Sequence, residues 1–451
     1  MKNLIPIKIV SVFLWLSVFD LQAQTINLQK RFGTNTMDRV YKSIPTADGG
    51  FLLMGAVYKN DNGFGDDDIL IIKLNNLLSQ EWLGIYGGED NDAPFDIIEE
   101  DNGYFIVGST QSSILKSSIE MDDDFRIASK GGIDCLVFKI GTDGKLQSMQ
   151  TFGGSKSDYA SRVIKLSGNE YLIGAVSDSE VSGDKGHKSR GTFDFWIFKL
   201  NADLSMDWQK TIGGNNDDRL EVFEFPFEGN ILAGGTSSSK DSGEKTVGRI
   251  GLKDIWLMEL DLQGNIVWQN AYGTNFNDVN GEYYESNVSR SAFLDHDYFY
   301  LVGSSQNRLC GSRQYDFSIY QVNNSGMLRK TIKPYANKDD AASSFLKCED
   351  GGWLIAGVTR SDKGGDKSEE SRGGHDIWII KLDKDFRKMW DKTFGGTMDE
   401  FGPNLIKVSK NEYLISLSCS STATGDINAG PLGPSSDILI IKIKDETIPN
   451  E

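Results

Sequence analysis

The stretch GHDIWIIKL, residues 374–382, decides the fold because it is one of seven close copies in the chain. In each copy an aspartate precedes a run of alternating apolar side chains, many of them β-branched or aromatic, as in a strand with two different faces. We expect this aspartate to accept backbone N–H groups and so fix the loop that enters the strand. The other copies are DDILIIKL (67–74), IDCLVFKI (133–140), FDFWIFKL (193–200), KDIWLMEL (253–260), YDFSIYQV (315–322) and SDILIIKI (436–443). The aspartates interpreted as structural are Asp68, Asp134, Asp194, Asp254, Asp316, Asp376 and Asp437.

Each copy belongs to a longer repeat. From residue 134 onward the motif aspartates recur every 60 to 62 residues, at 134, 194, 254, 316, 376 and 437. Before most motifs come an aromatic residue with glycines, as in DKTFGG at 391–396, and then an acidic residue and a hairpin turn such as TADGGFLLMG at 46–55. The sixth copy, TIKPYAN at 331–337, has lost the glycines. Asp-Gly between apolar runs is a strong hairpin signal. The acidic residues after the glycines are Asp38, Asp92, Asp158, Asp218, Asp278, Asp339 and Asp399.

Four short strands per repeat, without helical periodicity, predict an all-β, seven-bladed β-propeller of four-stranded blades. A β-solenoid or tandem sandwiches are the alternatives, although solenoid coils are shorter and a sandwich would need two repeats to cover one core. A lone strand at 25–31 precedes the first repeat, and the last repeat ends on its third strand at 438–443. The N-terminal strand is therefore expected to complete the last blade and close the ring. In this arrangement the first strand of each blade is innermost, and Lys381 extends toward the rim.

The first 23 residues have the pattern of a secretory signal peptide. Lys2 and Lys8 are followed by a mostly apolar run at 9–19 and by Leu21-Gln22-Ala23, which offers a small residue for cleavage. We expect residues 24–451 to form a single propeller domain, exported to the periplasm, the cell surface or the medium. No later window reaches 18 apolar residues, so no transmembrane segment is expected in the mature chain.

Composition and charge limit the possible partners. Hydrophobic residues make up 39% of the 451 residues, which supports a packed core. The formal net charge is −18, and because an acidic surface repels phosphate backbones, nucleic acid is not an expected partner. The protein is expected to be a monomer. The four cysteines, interpreted as buried free thiols with disulfide pairing as the alternative, are Cys135, Cys310, Cys348 and Cys419.

The repeats resemble those of the secreted β-propeller repeat proteins of the Bacteroidetes group. Those repeats carry W-x-K-T-x-G-G, D-G-G-Y-x-I-x-G and D-x-W-x-x-K-L, which residues 208–214, 350–357 and 376–382 match. The resemblance extends over residues 25–444 and implies the propeller fold and export. It implies little about activity, because propellers support many functions.

Candidate binding residues lie in the long loops between the second and third strands, because variable loops on a rigid scaffold commonly carry binding sites. His187 and Arg190 belong to the loop of the third blade, and Arg372 and His375 to that of the sixth. His296, the remaining histidine, lies in a predicted hairpin turn of the fifth blade. Clustered oxygen ligands suit calcium. The weak calcium candidates are Asp66, Asp67, Asp122 and Asp124.

The sequence favours a non-enzymatic binding or scaffolding propeller that uses its loop-rich face to bind a protein partner or a glycan. The alternative is a carbohydrate-active enzyme, a polysaccharide lyase or glycosidase, which would require His187 and His375 to converge in one deep pocket. No catalytic residue is assigned. No cofactor is expected other than calcium.

Overall fold

A computed structural model of the chain describes residues 24–58, 64–119, 125–127, 129–227, 229–273, 278–279, 292–295, 298–307 and 314–448. In these residues the strands form seven antiparallel sheets, which confirms the all-β seven-bladed propeller. The predicted signal peptide lies outside the described residues. Among the helices of the described residues, none is long and apolar enough to cross a membrane.

The first three blades and the closing strand are built from the first half of the chain, which also contains a 3-10 turn, Ser167–Asn169. The strands are β1 (Gln24–Phe32), β2 (Met37–Pro45), β3 (Phe51–Tyr58), β4 (Asp67–Leu74), β5 (Gln80–Gly87), β6 (Asp92–Glu100), β7 (Gly103–Thr110), β8 (Ile114–Ser117), β9 (Phe125–Arg126), β10 (Asp134–Gly141), β11 (Leu146–Phe152), β12 (Asp158–Lys165), β13 (Tyr171–Ser177), β14 (Asp194–Leu200) and β15 (Met206–Ile212).

The second half of the chain forms the remaining four blades. Its strands are β16 (Asp218–Phe227), β17 (Asn230–Ser237), β18 (Asp254–Asp261), β19 (Ile266–Tyr272), β20 (Asp278–Val279), β21 (Ala292–Asp295), β22 (Tyr298–Asn307), β23 (Gln314–Asn323), β24 (Leu328–Ile332), β25 (Asp340–Lys347), β26 (Trp353–Thr359), β27 (Asp376–Leu382), β28 (Lys388–Phe394), β29 (Glu400–Lys407), β30 (Glu412–Cys419) and β31 (Asp437–Asp445).

Each blade runs outward in chain order, as β12-β13-β14-β15 does in the third blade. The first strand is innermost, because β2 contacts the first strands β6 and β29 of both neighbouring blades.

Two blades depart from four simple strands. The loop insertion in the second blade forms β8 and β9, which extend the outer edge of the first blade through β5. In the fifth blade the inner strand is divided into β20 and β21, which both pair with β22.

The ring closes as the sequence predicted, because β1 is the outer strand of the last blade. It pairs antiparallel with β31, from Gln24 opposite Asp445 to Phe32 opposite Ile438. A buried ion pair reinforces this closure: the Arg31 guanidinium donates to the Asp437 carboxylate at 2.9 Å, and the two side chains are 2% and 0% exposed. Arg31 also donates to the Cys419 carbonyl at 3.2 Å. The two ends of the chain are thus joined by a ladder and a buried charge pair.

The hydrophobic core lies between blades. Phe105 of the second blade and Tyr171 of the third stack with ring centroids 4.1 Å apart. Their cluster also contains Trp196, a residue of the motif strand in the third blade. All seven residues of β27 are buried, which explains why the motif has apolar side chains on both faces.

The expectation that Lys381 extends toward the rim is wrong. Its side chain is fully buried, and its Nζ lies 2.8 Å from a carboxylate oxygen of Asp350, in the hairpin of the same blade. A buried ammonium needs such a partner, and the hairpin aspartate provides it.

A β-bulge interrupts the inner strand of most blades. In the first two blades it shifts the register between Val40 and Lys42 and between Pro94 and Asp96. The second-strand glycines accommodate it: a Cβ on Gly55 would lie 1.8 Å from the carbonyl oxygen of Arg39. Glycine is required there by close backbone approach.

We predict that Arg31→Ala strongly destabilises the protein, because the substitution leaves the Asp437 carboxylate buried without its cation. The expected loss in the free energy of unfolding is about 3–5 kcal/mol, measured by denaturant titration. Lys30→Ala is the matched control, since the Lys30 amine only donates to the Leu77 and Leu78 carbonyls. Equal stability of the two variants would contradict a closing role for Arg31.

Candidate functional site

Motif aspartates accept backbone N–H groups from the loops that enter the third strands. The carboxylate of Asp134 accepts the backbone N–H of Lys130 at 2.8 Å, and that of Asp194 accepts the N–H of Arg190 at 2.6 Å. The same bond, from the residue four positions earlier, recurs at Asp376. These aspartates are therefore structural.

Each motif carboxylate also takes part in a junction between blades, well illustrated by Asp134 of the second blade and Asp158 of the third. Both carboxylates surround Gly153, where a Cβ would lie 2.1 Å from Asp134 Oδ1 and 3.2 Å from Asp158 Oδ2. Asp158 Oδ2 accepts the Gly154 N–H at 2.7 Å and the Ser179 hydroxyl at 2.9 Å. The Oδ1 atoms of both aspartates are buried without a hydrogen-bond partner. The glycine pair after the fourth strand is thus explained by two carboxylates packed against it.

The acidic partner at the junction is the first or second residue of the inner strand, and in the last two blades it is one residue later than the sequence pattern indicated. Asp340 accepts the Ser361 hydroxyl, and Glu400 accepts the Gly396 N–H, as Asp158 does with its own serine and glycine. Asp339 instead accepts the backbone N–H of Tyr315 near the start of β23, and Asp399 accepts that of His375 in the loop that enters β27. The sequence alone does not show which of two adjacent acidic residues packs at the junction between blades.

Burial raises the pKa of these junction carboxyls. It raises the pKa of Asp38 and of Asp92 to about 7, and the pKa of Asp194 to about 6. Backbone and hydroxyl donors partly oppose the shift, and the facing carboxyl adds to it, as Asp68 does for the pKa of Asp92.

Turns of sequence Gly-Asp-Lys or Gly-Glu-Lys hold the long loops against the preceding blade. In the third blade Asp184 donates its N–H to the Gly153 carbonyl at 2.8 Å. The next residue, Lys185, is 2% exposed, and its Nζ lies 5.6 Å from the centroid of the Trp196 ring. Lys245 is placed in the same way over Trp256 in the fourth blade. The long loops, which were expected to be variable binding loops, are thus partly held against the ring by these contacts.

Both predicted arginines connect neighbouring blades. Arg190 forms an ion pair with Glu244 of the fourth blade. Arg372 lies 2.9 Å from Asp426 of the seventh blade and 2.9 Å from Glu369 of its own loop. Their ion pairs explain their presence without a ligand, and a binding role for them stays a prediction.

The two predicted histidines do not share a pocket in the described residues. His187 is exposed on the loop of the third blade. His375 is 8% exposed, its Nδ1 lies 2.8 Å from Asp399 Oδ1, and its ring packs against Phe401 at 4.7 Å. Neither lines the cavity on the axis described below. The third histidine, His296, lies outside the described residues.

The calcium candidates are only partly described. Asp66 and Asp67 lie in the described residues, whereas Asp122 and Asp124 lie outside them. Across the described ranges, no group of three or more histidine, cysteine, aspartate or glutamate side chains is arranged to hold a metal ion. Three of the four cysteines are buried free thiols, and Cys310 lies outside the described residues.

A cavity of about 340 Å³ lies on the axis of the ring, lined by the inner strands of six blades. It contains four charged side chains from four consecutive blades, which we call the axial charge cluster: Lys42, Asp96, Arg162 and Glu224. A second cavity of about 640 Å³ shares Ser43 and Leu405 with it and reaches the hairpin at Glu349. The second cavity therefore adjoins the first on the side of the hairpins between first and second strands, opposite the long loops. We call the space around the axial charge cluster the axial channel.

The four members of the axial charge cluster differ in how they are paired. Lys42 forms an ion pair with Asp96, whose other carboxylate oxygen accepts the Val163 N–H at 3.0 Å. Arg162 donates to the carbonyl of its neighbour Ser161 at 2.7 Å. Glu224 exposes its side chain to the cavity. The surrounding protein raises its pKa to about 7, an effect that the nearby Lys42 and Arg162 reduce and Asp96 increases.

Sequence reasoning missed the axial charge cluster, although a signal for it exists. Lys42, Asp96 and Arg162 each lie four residues after the acid that begins their inner strand. The same position in the last two blades holds Ser344 and Asn404. The residue type therefore changes from blade to blade at this position while the flanking pattern is repeated. Because first strands are innermost, such a position faces the axis.

No protein-family model matches the sequence, and no curated protein matches it. Several solved structures are similar to it over most of its length at low sequence identity. A protein of unknown function from Dyadobacter fermentans is 11% identical with a TM-score of 0.44, over 94% of this chain and 100% of that one. The WD40 domain of Neurospora crassa Pan2 is 8% identical with a TM-score of 0.49, over 95% and 96%. A member of the DUF4221 family from Bacteroides vulgatus is 10% identical with a TM-score of 0.35, over 94% and 98%.

We predict that Gly153→Ala destabilises the protein, because the new methyl group would overlap the Asp134 carboxylate. Overpacking of this kind costs about 1–3 kcal/mol in the free energy of unfolding. Gly248→Ala is the matched control, since a Cβ on Gly248 meets no atom within 4 Å. Denaturant titration of both variants checks the prediction, which fails if Gly153→Ala is as stable as the control.

We also predict that the protein becomes less stable as the pH rises from about 4 to about 7. The folded pKa values of Asp38, Asp92 and Asp340 are raised to about 7, so the native state keeps protons that the unfolded carboxyls release from about pH 4. The stabilisation is present at the acidic end of this window and is lost as the pH passes the folded pKa.

The measurement is the free energy of unfolding at several pH values across that window. Asp92→Asn should flatten part of the slope, because the amide oxygen can still accept the Gly88 N–H while the titrating proton is removed. Asp241→Asn, at an exposed position, should leave the slope unchanged. Stability that is constant or rises with pH would show that these carboxyls stay ionised in the folded state.

Proposed function

We propose that the protein is an exported, non-enzymatic binding propeller that takes its ligand, a glycan or a segment of a partner protein, in the axial channel. The observation that supports this proposal is the axial charge cluster, in which four blades each contribute a charged side chain to one cavity. A cavity with a few convergent polar groups is the usual form of a ligand site.

The placement of the charged residues favours the channel over the loop-rich face. On the loops, Arg190 and Arg372 are engaged by Glu244 and Asp426 of the next blades. In the channel, Glu224 is exposed and Arg162 makes one hydrogen bond to a carbonyl of its own strand. Groups that the ring does not use for its own assembly are the ones available to a ligand.

The enzyme alternative depended on a single pocket that contains two histidines, and the described residues form no such pocket. A lyase on this scaffold was expected to bring His187 and His375 into one pocket. His375 is instead buried against Phe401, and His187 is exposed on a different blade. Export is supported by the leader pattern at residues 1–23.

The purified chain 24–451 can be tested on a glycan array and in a pull-down from the parent cell envelope. We expect binding that Glu224→Trp abolishes, because the bulky uncharged indole ring fills the channel. Lys188→Ala, on the exposed loop of the third blade, is the matched control and should bind normally. If only the loop variant lost binding, the site would lie on the loop-rich face, which would contradict the axial proposal.

The same preparation should be incubated with acidic polysaccharides while ultraviolet absorbance is followed. No unsaturated product is expected. Product formation that Glu224→Trp abolishes would establish an enzyme and overturn the non-enzymatic proposal.

A further inference from the structure

We infer that the axial channel recognises a sugar acid, with Arg162 holding its carboxylate and Glu224 binding an adjacent hydroxyl. This inference rests on the proposed function and specifies the ligand of the same channel. It depends on which charges in the channel are already neutralised and on the surfaces that line the space between them.

Arg162 is the cation available to a ligand. The other cation, Lys42, is paired with Asp96, and Asp96 is further held by the Val163 N–H at 3.0 Å. Arg162, by contrast, is half-buried, and in the described part of the chain its hydrogen bonding is limited to the Ser161 carbonyl at 2.7 Å. A guanidinium presents planar, paired donors that fit a carboxylate in two parallel hydrogen bonds. The protein as a whole carries a formal charge of −18, so an anionic ligand needs such a local cation.

Glu224 supplies the second polar contact. Its side chain is exposed to the channel from the inner strand of the blade next to that of Arg162. With a pKa raised to about 7, the carboxyl is partly protonated near neutral pH. A protonated carboxyl donates to a hydroxyl oxygen and does not repel the carboxylate that Arg162 binds. An ionised Glu224 accepts from a hydroxyl but repels that carboxylate.

The walls of the cavity suit a pyranose ring. Tyr41 and Phe95 both line it and are half-buried, so each presents part of an aromatic ring to the channel. A sugar ring has an apolar C–H face that packs on such surfaces while its edge carries the hydroxyls. The volume of about 340 Å³ is at the small end of ligand pockets, which favours one or two sugar units over a long chain segment.

The test is isothermal titration calorimetry of the chain 24–451 with glucuronate, galacturonate and their disaccharides, with glucose and galactose as uncharged probes. We expect the acids to bind and the neutral sugars to bind at least tenfold more weakly. Arg162→Gln should weaken binding of the acids by about 10- to 100-fold, because it removes a charge-assisted hydrogen bond. Arg162→Lys should recover part of the affinity. This recovery would show that the loss in Arg162→Gln comes from the missing charge and not from misfolding. Arg387→Gln, a surface arginine with a 79% exposed side chain, is the control for net charge and should bind as the unmodified chain does.

A second readout is the pH dependence of the affinity. Binding of the acids should weaken as the pH rises from about 6 to about 8, because Glu224 ionises in that range and then repels the bound carboxylate. Asp96 and Lys42 also face Glu224 and form an ion pair with each other. Glu224→Gln should remove the pH dependence and keep the preference for acids.

The outcomes separate this inference from the proposed function. Equal binding of acidic and neutral sugars, unaffected by Arg162→Gln, overturns the sugar-acid assignment but leaves a binding channel. Failure of every acid to bind the unmodified chain also overturns it, and the glycan array and pull-down with Glu224→Trp then decide independently whether the channel binds anything else.

Discussion

The ring depends on carboxylates buried at the junctions between blades, and at five of the described junctions the carboxylate lies against the backbone of a glycine. At the junction of the second and third blades, Asp134 fixes its own entry loop through the Lys130 N–H and packs on Gly153 at the end of the fourth strand. The next loop then closes over the same glycine through Asp184. One acidic side chain therefore determines the loop before it, the turn after it and the spacing to the next blade, which is why the repeat keeps it.

The fold could be predicted from the sequence because these contacts are local and repeated. The motif strand, the glycine pair and the hairpin each need particular residue types. The lone strand at the start of the chain and the missing fourth strand at its end indicated which strands belong to one blade and how the ring closes. Two details were wrong for physical reasons. Lys381 points to Asp350 in the hairpin of its own blade and is buried, which alternation along one strand cannot reveal. The junction acids Asp340 and Glu400 are adjacent to other acids, and only hydrogen-bond geometry separates them.

The candidate site could be predicted less well. The recurring pattern is defined by residues that the copies share, whereas the site is formed by positions at which the copies differ. Residues such as Arg190 drew attention by lying in long loops, yet its ion pair with Glu244 belongs to the assembly of the ring. The residues of the axial charge cluster lie inside regular strands, where charge is easily read as a solvent-exposed face. What distinguishes them is that six blades bring their inner strands to one cavity, and that convergence exists only in three dimensions.

The pairing of β1 with β31 joins residues 24 and 445, nearly the full length of the chain apart. Closing so long a loop carries a large entropic cost and delays the contact during folding. The outer strand β1 is made first and has no partner until β31 has been made, so a growing chain can form single sheets but not a finished ring. The ring is therefore completed only by the contact between the two ends of the chain, after every blade between them has been made.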